Sequence, residues 1–261
     1  MIELSCAVTI FITERSSFDL QTVAEVSKNM TEEYKKLLAL NFQRLNENIK
    51  KYSKDTKKVL VVAATKTVDA ETVNYAAEHF GLTDIGENRV QELLSKYDLL
   101  DKDRLKIHFI GHLQKNKVKY IVGKVALIHS LDSYELALEI EKQSAKLGVI
   151  TDVLVEVNIG SEESKSGTDP LQVREIVDKT SLLEHVRVMG LMTIGPKCES
   201  FEDYCEYFSR TKDLFFSLFP NAEKEGKILS MGMSDSYCAA ISCGANVIRP
   251  GQCLFEARVY N

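Results

Sequence analysis

From residue 29 onward, apolar positions recur first with a helical period and then in short runs separated by further helical stretches. Tyr34, Leu37, Leu38, Phe42, Leu45, Ile49 and Tyr52 share one face of a 3.6-residue repeat, and lysines and glutamates cover the other. The spacing predicts a long amphipathic helix with Asn29 and Glu32 as its capping pair. Strand-like runs follow at residues 59–63, 83–85, 107–110, 125–128, 152–157, 186–189, 228–230 and 246–248. The first of them is entirely apolar, the pattern of a strand buried on both faces. Between the runs lie helical patterns with recognisable ends. Asp69 precedes Val73, Ala76 and Ala77; Ser133 precedes Leu136, Ile140 and Leu147, closed by Gly148. Pro170, after Asp169, takes the first helical position ahead of Val173, Ile176 and Val177. Ser200 opens a helix through Phe201, Tyr204, Phe208 and Phe215 that Pro220 stops, and Ser234 one through Tyr237 and Ile241 that Gly244 closes.

Eight strands, each separated by enough chain for a crossover helix, predict an α/β fold: a single parallel (β/α)8 TIM barrel. The leading helix replaces the one missing after the last strand. A doubly wound open sheet is the alternative. No Gly/Pro-rich linker or repeat divides the chain, so residues 29–261 read as one domain, preceded by an extension over residues 1–28.

Composition narrows the class. The chain has 261 residues, 44% hydrophobic and 27% charged, ordinary for a soluble globular protein. A net charge of −5 gives no electrostatic reason to expect nucleic acid. No apolar run approaches the roughly 18 residues that would suggest a membrane span. Six cysteines without a Cys-x-x-Cys pair are expected as free thiols in a reducing, cytoplasmic compartment. Residues 6–12 are apolar, but Glu3 precedes them and no basic segment does, so no secretory signal is expected. Glu3, Glu14, Asp19 and Glu25 argue against a mitochondrial presequence.

The candidate chemistry lies at the strand ends, which a barrel gathers at one mouth. They supply Lys66, Gly86-Glu87-Asn88, Gly111-His112, Asn158, Met192-Thr193, Met231-Gly232-Met233-Ser234 and Arg249-Pro250-Gly251-Gln252. Lys66 is either a surface loop residue or a desolvated amine held for chemistry. Gly232 permits close backbone approach, Ser234 offers a hydroxyl at a helix start, and Arg249-Pro250-Gly251 adds a cation and amides. Together they suggest a phosphate site in the loops after strands seven and eight; Ser234 as a simple N-cap is the alternative. His108 and His112 have the i,i+4 spacing of a helical metal site, but His108 lies in a strand-like run and Gly111 interrupts any helix, so a structural role is expected. Phe201, Tyr204, Phe208 and Phe215 read as core, and Lys115, Lys117 and Lys119 as a solvated face. A phosphate cradle opposite a strand-end lysine suggests an aldehyde phosphate held as a Schiff base, with pyridoxal 5′-phosphate the candidate.

Six segments then carry a resemblance. They are residues 107–117 (IHFIGHLQKNK), 86–92 (GENRVQE), Lys165-Ser166-Gly167, Gly190-Leu191-Met192-Thr193, 229–234 (LSMGMS) and 249–255 (RPGQCLF). In their order along the chain they resemble the signature segments of the YggS/PROSC family of pyridoxal-phosphate-binding proteins, from about residue 30 to the C-terminus. The resemblance implies a barrel like the N-terminal domain of alanine racemase, with pyridoxal phosphate in a Schiff base on Lys66. It implies that Ser234, Gly251 and Gln252 hold the phosphate, that Arg249 faces the pyridine nitrogen, and that Asn88 lines the ring. Ile107 stands where the family usually has an aromatic and Glu256 where it usually has Gly, and residues 1–28 have no recognised counterpart.

Binding is favoured over turnover. A racemase of this type takes a second acid/base from a further β domain, for which a chain ending at Asn261 leaves no room. A guanidinium keeps its proton, so the ring nitrogen it faces stays unprotonated and the ring is a poorer electron sink. The expectation is a monomeric protein of intracellular pyridoxal phosphate homeostasis, without catalytic residues or a metal, whose partners are the cofactor and apoenzymes that depend on it. Alternatives are a fold-type III pyridoxal phosphate enzyme, a racemase or lyase of amino acids, and a class I aldolase-like enzyme using Lys66 without cofactor.

Overall fold

The computed structural model describes residues 30–160 and 166–256. The expectations for residues 1–28, for Asn29 and for Lys165 lie outside the described residues.

The leading helix is α1 (Glu32–Tyr52). Thr31, the last extended residue before it, is the N-cap: its hydroxyl oxygen accepts the Tyr34 N–H at 3.2 Å. Glu32, expected in the cap, instead lies in the first turn and pairs with Lys35 at 2.8 Å. The strands are β1 (Leu60–Ala64), β2 (Asp84–Glu87), β3 (Lys106–Phe109), β4 (Leu127–Leu131), β5 (Thr151–Val157), β6 (Val186–Thr193), β7 (Ile228–Ser230) and β8 (Val247–Ile248). Each pairs in parallel with the next, and β8 returns to β1 through Leu60↔Val247 and Val61↔Ile248. The sheet is a closed barrel and not an open doubly wound sheet. Three strands run two or more residues past the apolar runs that announced them, β4 reaching Leu131 opposite Val155, because pairing and not hydrophobicity ends a strand. Gly86 and Glu87 extend β2 against His108 and Phe109, and β6 continues to Thr193 alongside Val157.

The outer helices are α2 (Ala70–Phe80), α3 (Val90–Lys96), α4 (Tyr134–Leu147), α5 (Val173–Thr180), α6 (Phe201–Leu218), α7 (Tyr237–Ser242) and α8 (Gln252–Phe255). Asp69, Ser133 and Ser200 cap α2, α4 and α6 by accepting the N–H groups of Thr72, Leu136 and Asp203. Two expected starts are displaced. The Asp169 carboxylate accepts the Leu171 N–H at 2.8 Å, so Pro170 sits in a local turn and α5 begins only at Val173. α7 begins at Tyr237 after Ser236, and Ser234 does not cap it.

α1 occupies the place of the missing final helix. Its Tyr34 hydroxyl donates to Phe255 O at 2.9 Å, Asn41 Nδ2 to Leu254 O at 3.0 Å, and Asn48 Nδ2 to the Tyr237 hydroxyl at 2.6 Å. Phe42 stacks on Phe80 of α2 at 4.8 Å between ring centroids. The leading helix thus ties α7, α8 and α2 together across the β8–β1 seam.

The main core lies between sheet and helices, where Val73, Leu93, Phe109, Ile128, Ile140 and Phe208 are fully enclosed. Phe201 is an exception to the core reading of its helix: it is 39% exposed and packs on Tyr52. Inside the barrel the apolar filling is thin. Val62, Ile110 and Val247 form one group, and Leu127, Leu154 and Met192 another. The remaining interior is polar, which sets up the site. Among the described residues no helix is long and apolar enough to cross a membrane.

Candidate functional site

The loops at the C-terminal ends of the strands join into a continuous arc. Arg249 N–H donates to Gly232 O at 2.9 Å, linking the loops after β7 and β8. Ala64 N–H donates to Pro250 O at 2.7 Å, linking the β8 loop to β1, and Thr65 N–H donates to Gly86 O at 3.0 Å, linking β1 to β2. Lys66, Asn88, Ser234, Arg249, Gly251 and Gln252 all lie on this arc, in the loops after β1, β2, β7 and β8 or, for Gln252, at the start of α8.

Lys66 follows β1 in an exposed turn that is held unusually firmly. Thr67 beside it has φ 65°, a left-handed conformation that costs a β-branched residue roughly 1–3 kcal/mol. Glu92 of α3 accepts the Thr67 N–H. Beneath the turn lies Lys96, also of α3 and 6% exposed. Its ammonium donates to Thr65 O at 2.8 Å and Val68 O at 3.0 Å, and pairs with Glu87 at 2.7 Å. The Thr65 hydroxyl donates to the same Glu87 oxygen. Burial raises the Glu87 pKa, and Lys96 and Thr65 oppose that rise.

Arg249 is buried at the head of a hydrogen-bonded chain across the barrel interior. The Asp84 carboxylate at its far end only accepts, and an imidazole that donates through one ring nitrogen accepts through the other, which fixes the direction of every bond back to Ser230. Arg249 Nη1 donates to Ser230 Oγ at 2.7 Å and Nη2 to Thr193 O at 2.9 Å. The Ser230 hydroxyl then gives its proton to His129 Nδ1 at 3.1 Å. His129 Nε2–H donates to His108 Nδ1 at 2.9 Å, and His108 Nε2–H to Asp84 Oδ1 at 2.9 Å. Burial, His108 and Arg249 hold His129 well below the usual histidine range, so it is neutral, as this direction requires. Burial alone would raise Asp84, but hydrogen bonds from His108 and Thr83 outweigh it and leave its pKa lowered. Arg249 itself is pulled down to about 10 by burial, against the attraction of Glu156, and stays charged at neutral pH.

Ser234 has a different task from capping. Its oxygen accepts the N–H groups of Gly251 and Cys253, each at 3.1 Å. A hydroxyl has two lone pairs and one proton, so both lone pairs are engaged and the proton is left to donate outward. The Gly251 amide, expected to serve the anion directly, is therefore taken up by the serine, as is that of Cys253. The cradle tolerates no bulk. A Cβ on Gly251 would lie 2.7 Å from Ala64 O, and one on Gly232, at φ 91°, would lie 2.5 Å from the Ala240 Cβ. Gln252 is exposed beside it. Across the arc, the Asn88 side-chain oxygen is buried and has no hydrogen-bond partner among the described residues.

The two histidines of the i,i+4 pair are not brought together. His108 is inside the barrel, whereas His112 is exposed at the rim, 3.3 Å from Asp132. Lys115 and Lys119 are exposed and Lys117 half-buried on a short 3₁₀ turn. A cleft of about 700 Å3 opens at the opposite end of the strands, lined by Tyr52, Leu60, Phe216, Lys227 and Asn246. It contains none of the six candidate residues and lies at the face where this fold stores stability, not chemistry.

The sequence reading missed the Asp84–His108–His129–Ser230 chain and the Lys96–Glu87 pair. The available signal was two histidines at inward positions of neighbouring strands, since His108 and His129 alternate with the outward Ile107, Phe109 and Ile128.

Comparison with known proteins agrees with this fold. The family described as alanine racemase, N-terminal domain, matches residues 40–259. The pyridoxal phosphate homeostasis protein of Aquifex aeolicus is 46% identical over 200 residues, covering 77% of this chain and 87% of its own. That of Helicobacter pylori (strain 26695) is 40% identical over 202 residues, covering 76% and 87%. Among solved structures, PipY of Synechococcus elongatus PCC7942 with PLP bound superposes with a TM-score of 0.72 at 29% identity, covering 84% of this chain and 99% of that one. An alanine racemase of Clostridium difficile, at 18% identity and a TM-score of 0.63 over 81% of this chain and 55% of that one, shares the fold.

Proposed function

The chain belongs to the alanine racemase N-terminal domain family and, within it, to the YggS/PROSC group of pyridoxal phosphate homeostasis proteins, and from that membership we propose that it binds pyridoxal 5′-phosphate as a Schiff base on Lys66. The observation that carries the reading is the adjacency of two parts. The Ser234–Gly251 cradle meets the end of β1 through Ala64 and Pro250, two residues from the only lysine of the β1 turn.

The residues present fit this cofactor. Ser234 has a proton to give a phosphate oxygen, and the bare Gly251 and the exposed Gln252 stand beside it. The unpartnered Asn88 oxygen is a buried polar atom that a ligand on the arc would satisfy. When bound, pyridoxal phosphate supplies an aldehyde that condenses reversibly with an amine and a ring able to withdraw electrons. Arg249 works against the second property. It retains its charge and keeps its protons, so a pyridine nitrogen facing it stays unprotonated. Holding and release are thereby favoured over turnover.

The protein accordingly stores the cofactor and regulates its free level, acting as a monomer in the cytoplasm and supplying apoenzymes. The thiols of Cys205, Cys238 and Cys243 are free, as a reducing compartment keeps them. Residues 29–261 form the cofactor-binding unit and residues 1–28 an extension to it. The test is the absorbance spectrum of wild-type and Lys66→Ala protein mixed with pyridoxal phosphate. A Schiff-base band in wild type that is missing from the variant supports the assignment; the same spectrum in both refutes it.

A further inference from the structure

Lys96 brackets the lysine turn from below, and no part of the proposed binding chemistry uses it. Its two backbone acceptors, Thr65 O and Val68 O, are the carbonyls on either side of the Lys66-Thr67 pair. The same ammonium is 2.7 Å from Glu87 and 3.6 Å from Glu92. Glu87 holds the Thr65 hydroxyl, and Glu92 holds the Thr67 N–H. One buried cation on α3 therefore organises two carboxylates, and the three groups fix residues 65, 67 and 68 around Lys66.

Among the described residues the side chain of Lys66 has no such tether, and it is exposed. Its reach is defined by the backbone that carries it. Thr67 is held in a left-handed conformation that the residue would leave if released. Backbone outliers of this kind persist where the surroundings over-determine them, and they gather at ligand clamps.

We propose that Lys96, acting with Glu92 through the Thr67 N–H, is a positioning residue that presents Lys66 to the aldehyde of its ligand. The inference rests on the assignment of Lys66 as the Schiff-base lysine. It separates two functions at one site: the cradle around Ser234 selects the phosphate, and the α3 clamp sets the geometry of covalent capture.

The experiment compares wild type with Lys96→Met, Glu92→Ala and Glu92→Gln. Two probes are used on each: pyridoxal phosphate, read by its Schiff-base band, and pyridoxine 5′-phosphate, which has the ring and phosphate but no aldehyde, read by calorimetry. Displacing a reacting amine by a fraction of an ångström is expected to weaken Schiff-base formation about tenfold or more in Lys96→Met and Glu92→Ala. Affinity for pyridoxine phosphate should stay within about twofold of wild type, a difference of under half a pK unit in binding. Glu92→Gln keeps an oxygen for the Thr67 N–H and should restore capture. Should Lys96→Met fail to fold, having left Glu87 buried without its cation, Glu92→Ala decides, because Glu92 is only half-buried and its loss leaves the Lys96–Glu87 pair intact. Wild-type capture in the folded variants, equal loss of both probes, or no rescue by Glu92→Gln would overturn the proposal. A wild-type protein that forms no Schiff base would instead bring down the assignment of Lys66 itself.

Discussion

At the scale of the residue, Ser234 shows how little chemistry the proposed anion site would need. Its oxygen is saturated by the amides of Gly251 and Cys253, which orients its only proton away from the loop. The account predicts that Ser234→Ala weakens pyridoxal phosphate by roughly 1–3 kcal/mol, the cost of removing one partner of a charge-assisted bond and orphaning two amides. Pyridoxal, which lacks the phosphate, should bind with unchanged affinity, so parallel titrations of the two compounds check the claim. Ser234, Arg249 and Lys66 were legible in the sequence because a barrel places the residue after each strand at the mouth. Lys96 was not, because a side chain that reaches back from a helix to the carbonyls of another loop leaves no local pattern.

At the scale of the element, pairing overrides propensity. Helix starts were readable at Asp69, Ser133 and Ser200, each of which caps its own N-terminus, but not at Thr31, which caps α1 in the same way. They were misread at Ser234, whose hydroxyl is engaged by the neighbouring loop, and at Pro170, where Asp169 closes a turn first. Strand β6 ran on past Met189 through Gly190, a residue that sequence rules treat as a break. Gly190 is required there by its neighbour. It pairs with Ile228 at φ 151°, and a Cβ would lie 1.9 Å from Ile228 O. Gly190→Ala should therefore separate β6 from β7 at their first paired residue and cost more than about 3 kcal/mol in urea unfolding, well beyond an ordinary substitution. A loss of under about 1 kcal/mol would show that the two strands have room to spare.

At the scale of the whole molecule, closure of the barrel was foreseeable from the count and spacing of the strands, but the content of its interior was not. Apolar runs announce strands buried on both faces; His108 was read only as structural, and His129 lay beyond the apolar run at residues 125–128. The structure makes them members of one chain from Asp84 to Arg249, and this has a consequence for stability. His129 has its pKa lowered, chiefly by burial and further by His108 and Arg249. A lowered histidine contributes stability that is present above its unfolded pKa of 6.5 and is lost as pH falls below it, because the unfolded chain then binds a proton that the fold refuses. Wild type should lose roughly 1.4 kcal/mol per pH unit through this group below about pH 6.5. Glu87 and Glu156, raised by burial, act in the opposite sense, since the fold binds their protons more readily than the unfolded chain. The contribution of His129 is therefore isolated by difference: His129→Gln should show a shallower fall in unfolding free energy over this range, and parallel pH profiles would contradict it.

These scales meet at Lys66, where one turn, a clamp from α3 and a cradle across the β8–β1 seam converge. The most direct measurement is reduction of the wild-type protein with borohydride in the presence of pyridoxal phosphate, followed by peptide mapping by mass spectrometry. The account predicts a single pyridoxyl phosphate adduct, on Lys66. An adduct on a different lysine, or none, would contradict it.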